Sequence, residues 1–298
     1  MILLRRRRVR ESRDSRRARV GRKMTVLITG ASSGIGKATA LYLAGLGHKV
    51  IGTSRSMARL DALTSESEGN GQRVIPLELD VNSDDAVSRV LPDVVREHGP
   101  IDALVNNAGY GLWGPIETLT IDELKQQFET NFFAVVRMIQ ALVPGMVERR
   151  AGIVVNISSV LGRLGTPFNG AYVASKFALE GMSESLRTEL SPFGVRVALV
   201  EPGLFRTEFQ NNMVRGANAE SPDISYAPYI EKYNRRHDRF QRFGGDPIRV
   251  ARLIHKIIES DSPSFRNPVG IDARMGILGT RLLPEKVYWP LMTKATLR

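Results

Sequence analysis

Short apolar runs alternate along the chain with longer stretches whose apolar positions recur at helical spacing. Runs at 25–28, 48–53, 73–79, 101–105, 152–157, 194–200 and 267–271 read as strands. Between them, helices are predicted up to Leu46, over 84–97, over a long 121–147 and over 171–190, and a further one starts in 246–251. The 171–190 stretch lacks proline, is rich in Ala, Leu, Glu, Ser and Lys, and stops at Ser191-Pro192, as a helix does. Strands that are continuously apolar belong in a parallel sheet covered on both faces, and regular strand–helix alternation builds such a sheet. The expected fold is α/β: one doubly wound domain, with a parallel sheet of about seven strands and helices on both faces.

Ligands of such sheets bind beyond the carboxyl ends of the strands. The unusual residues fall at those ends: Thr29-Gly30, Ser54-Arg55, Asp80-Val81, Asn106-Asn107-Ala108-Gly109, Ser158-Ser159 and Pro202-Gly203. The first of them opens Gly30-Ala31-Ser32-Ser33-Gly34-Ile35-Gly36, a glycine-rich turn between strand and helix. Glycines there let the backbone approach a phosphate, and the helix N-terminus presents unpaired N–H groups to it. The end of the second strand carries no acid for ribose hydroxyls; Arg55 stands there instead, which suits a 2′-phosphate, although a solvated loop arginine is the plain alternative. Lys37, inside the first helix, is a second candidate phosphate contact. Tyr172 and Lys176 lie four residues apart and so on one helix face. A neighbouring ammonium favours phenolate and lowers a tyrosine pKa, which makes the pair a candidate general acid/base.

Composition changes this picture little, and charge changes it at one end only. The 298 residues are 42% hydrophobic and 24% charged, an ordinary globular balance. The net charge of +11 suggests a nucleic-acid partner until it is divided along the sequence. Residues 1–23 hold eleven basic and two acidic side chains, which leaves the body nearly neutral. The basic part is an arm too polar to pack and expected to be disordered, and Met24, just before the first strand, is the plausible natural start. Its apolar Ile2-Leu3-Leu4 is too short for a signal peptide or membrane span, and no later segment reaches eighteen unbroken apolar residues. Absence of cysteine excludes disulfides and thiolate chemistry and suits a reducing cytoplasm. Histidines 48, 98, 237 and 255 show no ligand spacing, so no metal site is expected.

Taken together, Thr29-Gly30-xxx-Gly34-x-Gly36, Asn106-Asn107-Ala108-Gly109, Asn131, Ser159, Tyr172-xxx-Lys176 and Pro202-Gly203 resemble the short-chain dehydrogenase/reductase superfamily, from Met24 to about Ile271. The resemblance implies a Rossmann-type domain over 24–272 and hydride transfer between a nicotinamide cofactor, NADP with NAD possible, and a carbonyl or alcohol carbon. It implies that Tyr172 exchanges the proton and that Lys176 lowers the tyrosine pKa and holds the nicotinamide ribose. Ser159 would orient the substrate oxygen, with Ser158 pointing the other way as a structural residue, and Asn131 would organise a water leading to the lysine. Asp80 would meet adenine, with Val81 beside it. Asn107, Ala108, Gly109, Pro202, Gly203 and Thr207 would line the cofactor groove along with Gly30, Ser32, Ser33, Gly34, Ile35, Gly36 and Arg55. The resemblance also implies a homodimer or homotetramer, paired through the helix that carries Tyr172.

Phe205, Phe209, Met213, Tyr226, Tyr229, Tyr233, Phe240 and Phe243 crowd the stretch 203–245, where the family places a substrate lid. Apolar lids favour lipophilic ketones, aldehydes or secondary alcohols; the alternative is that these aromatics only pack short helices. The C-terminal pattern resembles the hydroxysteroid and retinol dehydrogenase-like branch. An extension over 273–298, with Trp289, would cap the pocket or dock on a partner subunit. Two other functions stand beside the enzyme: a catalytically weak dinucleotide-sensing regulator, against which the complete Ser, Tyr, Lys and Asn set argues, and weak binding of nucleic acid or an acidic surface through the arm.

Overall fold

The computed structural model describes residues 23–70, 73–219, 221, 224–241 and 244–297. The arm expected over 1–23 and Phe243 therefore lie outside the described residues, apart from Lys23, whose ammonium bonds the Leu46 carbonyl. Among the described residues there are nine strands: β1 (Thr25–Ile28), β2 (Lys49–Ser54), β3 (Val74–Glu78), β4 (Ala103–Asn106), β5 (Leu112–Trp113), β6 (Gly152–Ile157), β7 (Val195–Pro202), β8 (Val214–Arg215) and β9 (Arg266–Val269). Seven of them form one wholly parallel sheet in the order β3-β2-β1-β4-β6-β7-β9, while β5 and β8 pair separately. The order reverses between β1 and β4, which opens a crevice beyond their carboxyl ends.

The helices are α1 (Gly34–Gly45), α2 (Met57–Gly69), α3 (Asp84–His98), α4 (Ile121–Phe128), α5 (Ala134–Glu148), α6 (Gly170–Leu190), α7 (Ala227–Gln241), α8 (Ile248–Glu259), α9 (Ile271–Leu282) and α10 (Glu285–Thr296). Successive strand residues point to opposite faces, and here both faces are covered. Val26 and Ile28 pack on one side with Leu43 of α1 and Ile254 of α8. Leu27 packs on the other with Leu91 of α3, Met138 of α5 and Leu179 of α6. The expected doubly wound α/β architecture is the observed one.

Two local departures have physical causes. α2 is absent from the sequence reading because its Ser- and Glu-rich second half hides the buried Leu60 and Leu63. The long helix expected over 121–147 is broken by a five-residue π-helical turn, Glu129–Phe133. There the buried Asn131 takes both backbone groups of Tyr110, accepting from its N–H (3.1 Å) and donating to its carbonyl (2.9 Å). The combined run Ile121–Glu148 is long and apolar enough to cross a membrane by length and composition alone, yet Val135, Met138, Leu142 and Met146 bury themselves in the core. The two edge strands, β3 and β9, each contain a proline, Pro76 and Pro268.

Candidate active site

Beyond the carboxyl ends of the strands lies a cavity of ≈ 1380 Å³. Its floor is the β1–α1 turn, with Gly30, Ser32, Ser33, Gly34 and Ile35 on the wall. Gly30 adopts φ +64°, a left-handed conformation open to glycine. A Cβ on Gly36 would overlap the Gly30 carbonyl and the Asn107 amide, so this glycine serves by its lack of side chain, one layer behind the wall. Asn107 donates to the carbonyls of Thr29 (2.9 Å) and Gly30 (3.0 Å). Its side chain is thus spent on holding the turn, while Ala108 and Gly109 continue the wall.

One end of the cavity carries Arg55 just after β2 and Arg59 in the first turn of α2, with Asp80 and Val81 after β3. Lys37 does not join them; it pairs with Glu66 at 2.6 Å. Arg59 escaped the sequence reading because α2 itself did, and an arginine four residues after Arg55 would have been the signal. Asp80 accepts from the Asn82 N–H (3.0 Å), and the Val81 carbonyl accepts from Arg137 (3.1 Å).

Ser159, Tyr172 and Lys176 meet at the centre. Ser159 follows β6 and accepts from the Leu161 N–H at 3.1 Å, which orients its hydroxyl. Ser158 has a buried hydroxyl beside Glu180. Tyr172 packs its ring on Phe209, centroids 5.5 Å apart, and the Lys176 ammonium sits 5.7 Å from the tyrosine ring centre. Lys176 donates to the Ile157 carbonyl at 2.8 Å. Asn131 stands just behind, donating to Ser175 (3.1 Å) on the same helix.

Burial corrects the expected electrostatics. The Tyr172 phenol is pushed up to about 12 by burial, against the Ser159 hydroxyl alongside, which favours phenolate. Lys176 is pushed down to about 8 by burial, against the buried Glu180 carboxylate, which favours the ammonium. A dry site penalises the charged form of each group, so the lysine that was expected to lower the tyrosine is itself drawn toward neutrality.

A further part of the lining is largely apolar, although Asn169, Gln210, Asn212 and Arg236 also face the cavity. Phe205, Phe209, Met213 and Tyr233 line it with Leu164, whereas Tyr226 and Tyr233 also meet Phe168 edge to face and Tyr229 is exposed. The aromatic stretch therefore divides between lining and packing. Pro202, Gly203 and Thr207 also line the cavity. The C-terminal segment closes it with Met275, Gly276, Gly279, Tyr288 and Met292. Asp272 accepts from the Leu204 N–H at 2.6 Å and so clasps the turn after β7, a contact across 68 residues that no local pattern signals.

Away from the cavity, the histidines are not all scattered. His48, His255 and Glu259 bring ligand atoms within 4.8 Å of one another, because the start of β2 meets the end of α8. The Met24 N–H donates to His48 Nδ1 at 3.3 Å. His255 Nε2 lies 3.3 Å from Glu259.

A sequence profile of the short chain dehydrogenase family matches residues 24–218. Among curated proteins, the chain is 40% identical over 246 residues to 3-ketodihydrosphingosine reductase of Bacteroides thetaiotaomicron, covering 82% of this chain and 87% of that one. It is also 40% identical over 262 residues to human retinol dehydrogenase 8, covering 83% and 81%. Among solved structures it resembles a metagenomic short-chain oxidoreductase in complex with NADP, with TM-score 0.66 and 28% identity over 83% of this chain and 96% of that one. With strand order, glycine turn and profile in agreement, the chain belongs to the short-chain dehydrogenase family of oxidoreductases.

Proposed function

We propose that this protein is an NADP-preferring reductase of lipophilic ketones or aldehydes, able in reverse to oxidise the corresponding secondary or primary alcohols. The observation that carries the reading is one cavity lined by Ser159, Tyr172 and Lys176, by the glycine turn after β1 and by the apolar side chains Leu164, Phe205, Phe209 and Met213. NADP, when bound, supplies the hydride chemistry. The residues present fit it. The glycines leave the backbone of the turn open to a pyrophosphate. Arg55 and Arg59 offer charge-assisted bonds to a 2′-phosphate, and Asp80 and Val81 border the adenine end.

Ser159 positions the carbonyl oxygen and stabilises the charge that develops on it. Tyr172 donates its proton to that oxygen; a phenol held up near 12 stays protonated at neutral pH, which suits the reducing direction. Lys176 holds the ribose and supports the tyrosine, while Asn131 fixes the backbone beside it. The apolar part of the lining excludes water and accepts an alkyl or isoprenoid chain. Two relatives carry names with such compounds in them, 3-ketodihydrosphingosine and retinol. Copies of the chain pair through the helical face where Phe133 and Phe177 are exposed.

A panel of carbonyls and alcohols followed at the NADPH absorbance, repeated with NADH, tests this reading. Long-chain ketones should turn over, with KM for NADPH roughly tenfold or more below that for NADH, as two charge-assisted bonds imply. Tyr172→Phe should retain cofactor affinity and lose about 10²- to 10⁴-fold in kcat; turnover within a few-fold of wild type would remove the tyrosine from its role.

A further inference from the structure

The C-terminal helix pair has an inner side that belongs to the cavity and an outer side with no partner among the described residues. On α9, Ile271, Met275, Leu278 and Leu282 are exposed, Ile271 by 81% and Leu282 by 69%. Their spacing of four, three and four puts them on one stripe. A second stripe follows at Leu283, Val287 and Leu291, with Trp289 exposed by 51% beside it. Ala273, Ile277 and Tyr288 are the buried residues of the pair. Soluble proteins rarely leave so many adjacent large apolar side chains in water, and such patches mark an interaction surface.

Charge identifies the occupant. The pair carries Arg274, Arg281, Lys286 and Lys294 against Asp272 and Glu285, and Asp272 is engaged inward on the Leu204 N–H. Apolar residues including tryptophan, set among lysine and arginine, are the composition of helices lying in an anionic lipid interface. A second copy is a poorer occupant: the basic residues would oppose themselves across a two-fold axis, and exposed phenylalanines on α6 and the π turn, Phe177 and Phe133, offer copies another face. Met275 is 63% exposed and also lines the cavity, so the surface and the cavity share a rim.

We propose that the outer face of the α9–α10 pair docks on an anionic lipid surface and sets the cavity rim against it, so that apolar substrates enter from the bilayer. The docking stands on surface composition alone; the entry route rests on the proposed reductase reading.

The test is sedimentation of the full chain with vesicles of phosphatidylcholine, with and without phosphatidylglycerol. Binding should require phosphatidylglycerol and weaken as salt rises. Arg281→Gln and Lys286→Gln should each weaken it roughly five-fold, and Leu282→Asp combined with Leu291→Asp should abolish it with an unchanged melting temperature. Absence of binding to either vesicle overturns the proposal. So does binding that persists in the double aspartate variant, which would assign it to the arginine-rich arm. Loss of dimer mass in that variant, without vesicle binding by wild type, would make the face an interface between copies. Tyr172→Phe should bind vesicles as wild type does, so failure of docking and failure of the catalytic reading are separable.

Discussion

Burial acts on Tyr172 and Lys176 in opposite directions, and the pair's pH response follows from that. The phenol near 12 remains protonated across the working range, so the lysine near 8 is the group that titrates first. Lys176 is charged below about 8 and loses its proton above; if the charged form supports proton donation, carbonyl reduction weakens as pH rises. kcat/KM for NADPH-dependent reduction should be flat below neutrality and fall on the alkaline side with an apparent pKa near 8, since this parameter reports the free enzyme. A profile flat through pH 10 would mean that the ammonium charge is not used. The identities of these residues were legible as motifs, Tyr172 and Lys176 from helical spacing and Ser159 from its place after a strand. Their electrostatics were not, because burial comes from Phe209 and other residues distant in sequence. The pairing of Lys37 with Glu66 was hidden for the same reason.

Among the elements, the β1–α1 turn was the most legible, since every glycine in it answers to a local requirement. Gly36→Ala would press a methyl group against the Gly30 carbonyl and the Asn107 amide. Overpacking of this kind costs about 1–3 kcal/mol. The variant should melt several degrees lower by calorimetry and bind NADPH more weakly; an unchanged melting temperature and affinity would show that the turn relaxes freely. The π turn was not legible, because the reason for it is a side chain capturing a backbone 21 residues away, Asn131 on Tyr110. α2 was missed through its polar composition, and Arg59 was lost with it. The C-terminal extension was expected to cap the pocket or dock on a partner subunit. α9 and α10 do line the cavity, but the Asp272 clasp that ties them to the β7 turn could be read only from the folded chain.

For the whole molecule, strand–helix alternation sufficed for the fold class, and the continuous apolar strands announced burial on both faces. Strand order was beyond the sequence reading, since it depends on which runs meet in space. Every group placed in the cavity lies after Met24, and the residues before it are dominated by like charge. Deleting residues 1–22 should leave the melting temperature and kcat/KM unchanged; a several-fold fall in kcat/KM at constant stability would give the arm a part in the site. The prolines of β3 and β9 have a consequence for the chain outside its native state. An exposed strand edge is a template on which other chains nucleate aggregates. Pro76 and Pro268 each remove a backbone donor from a strand that has one neighbour only. Neither border of the sheet therefore offers a full ladder for continued growth, and seven strands is where it stops.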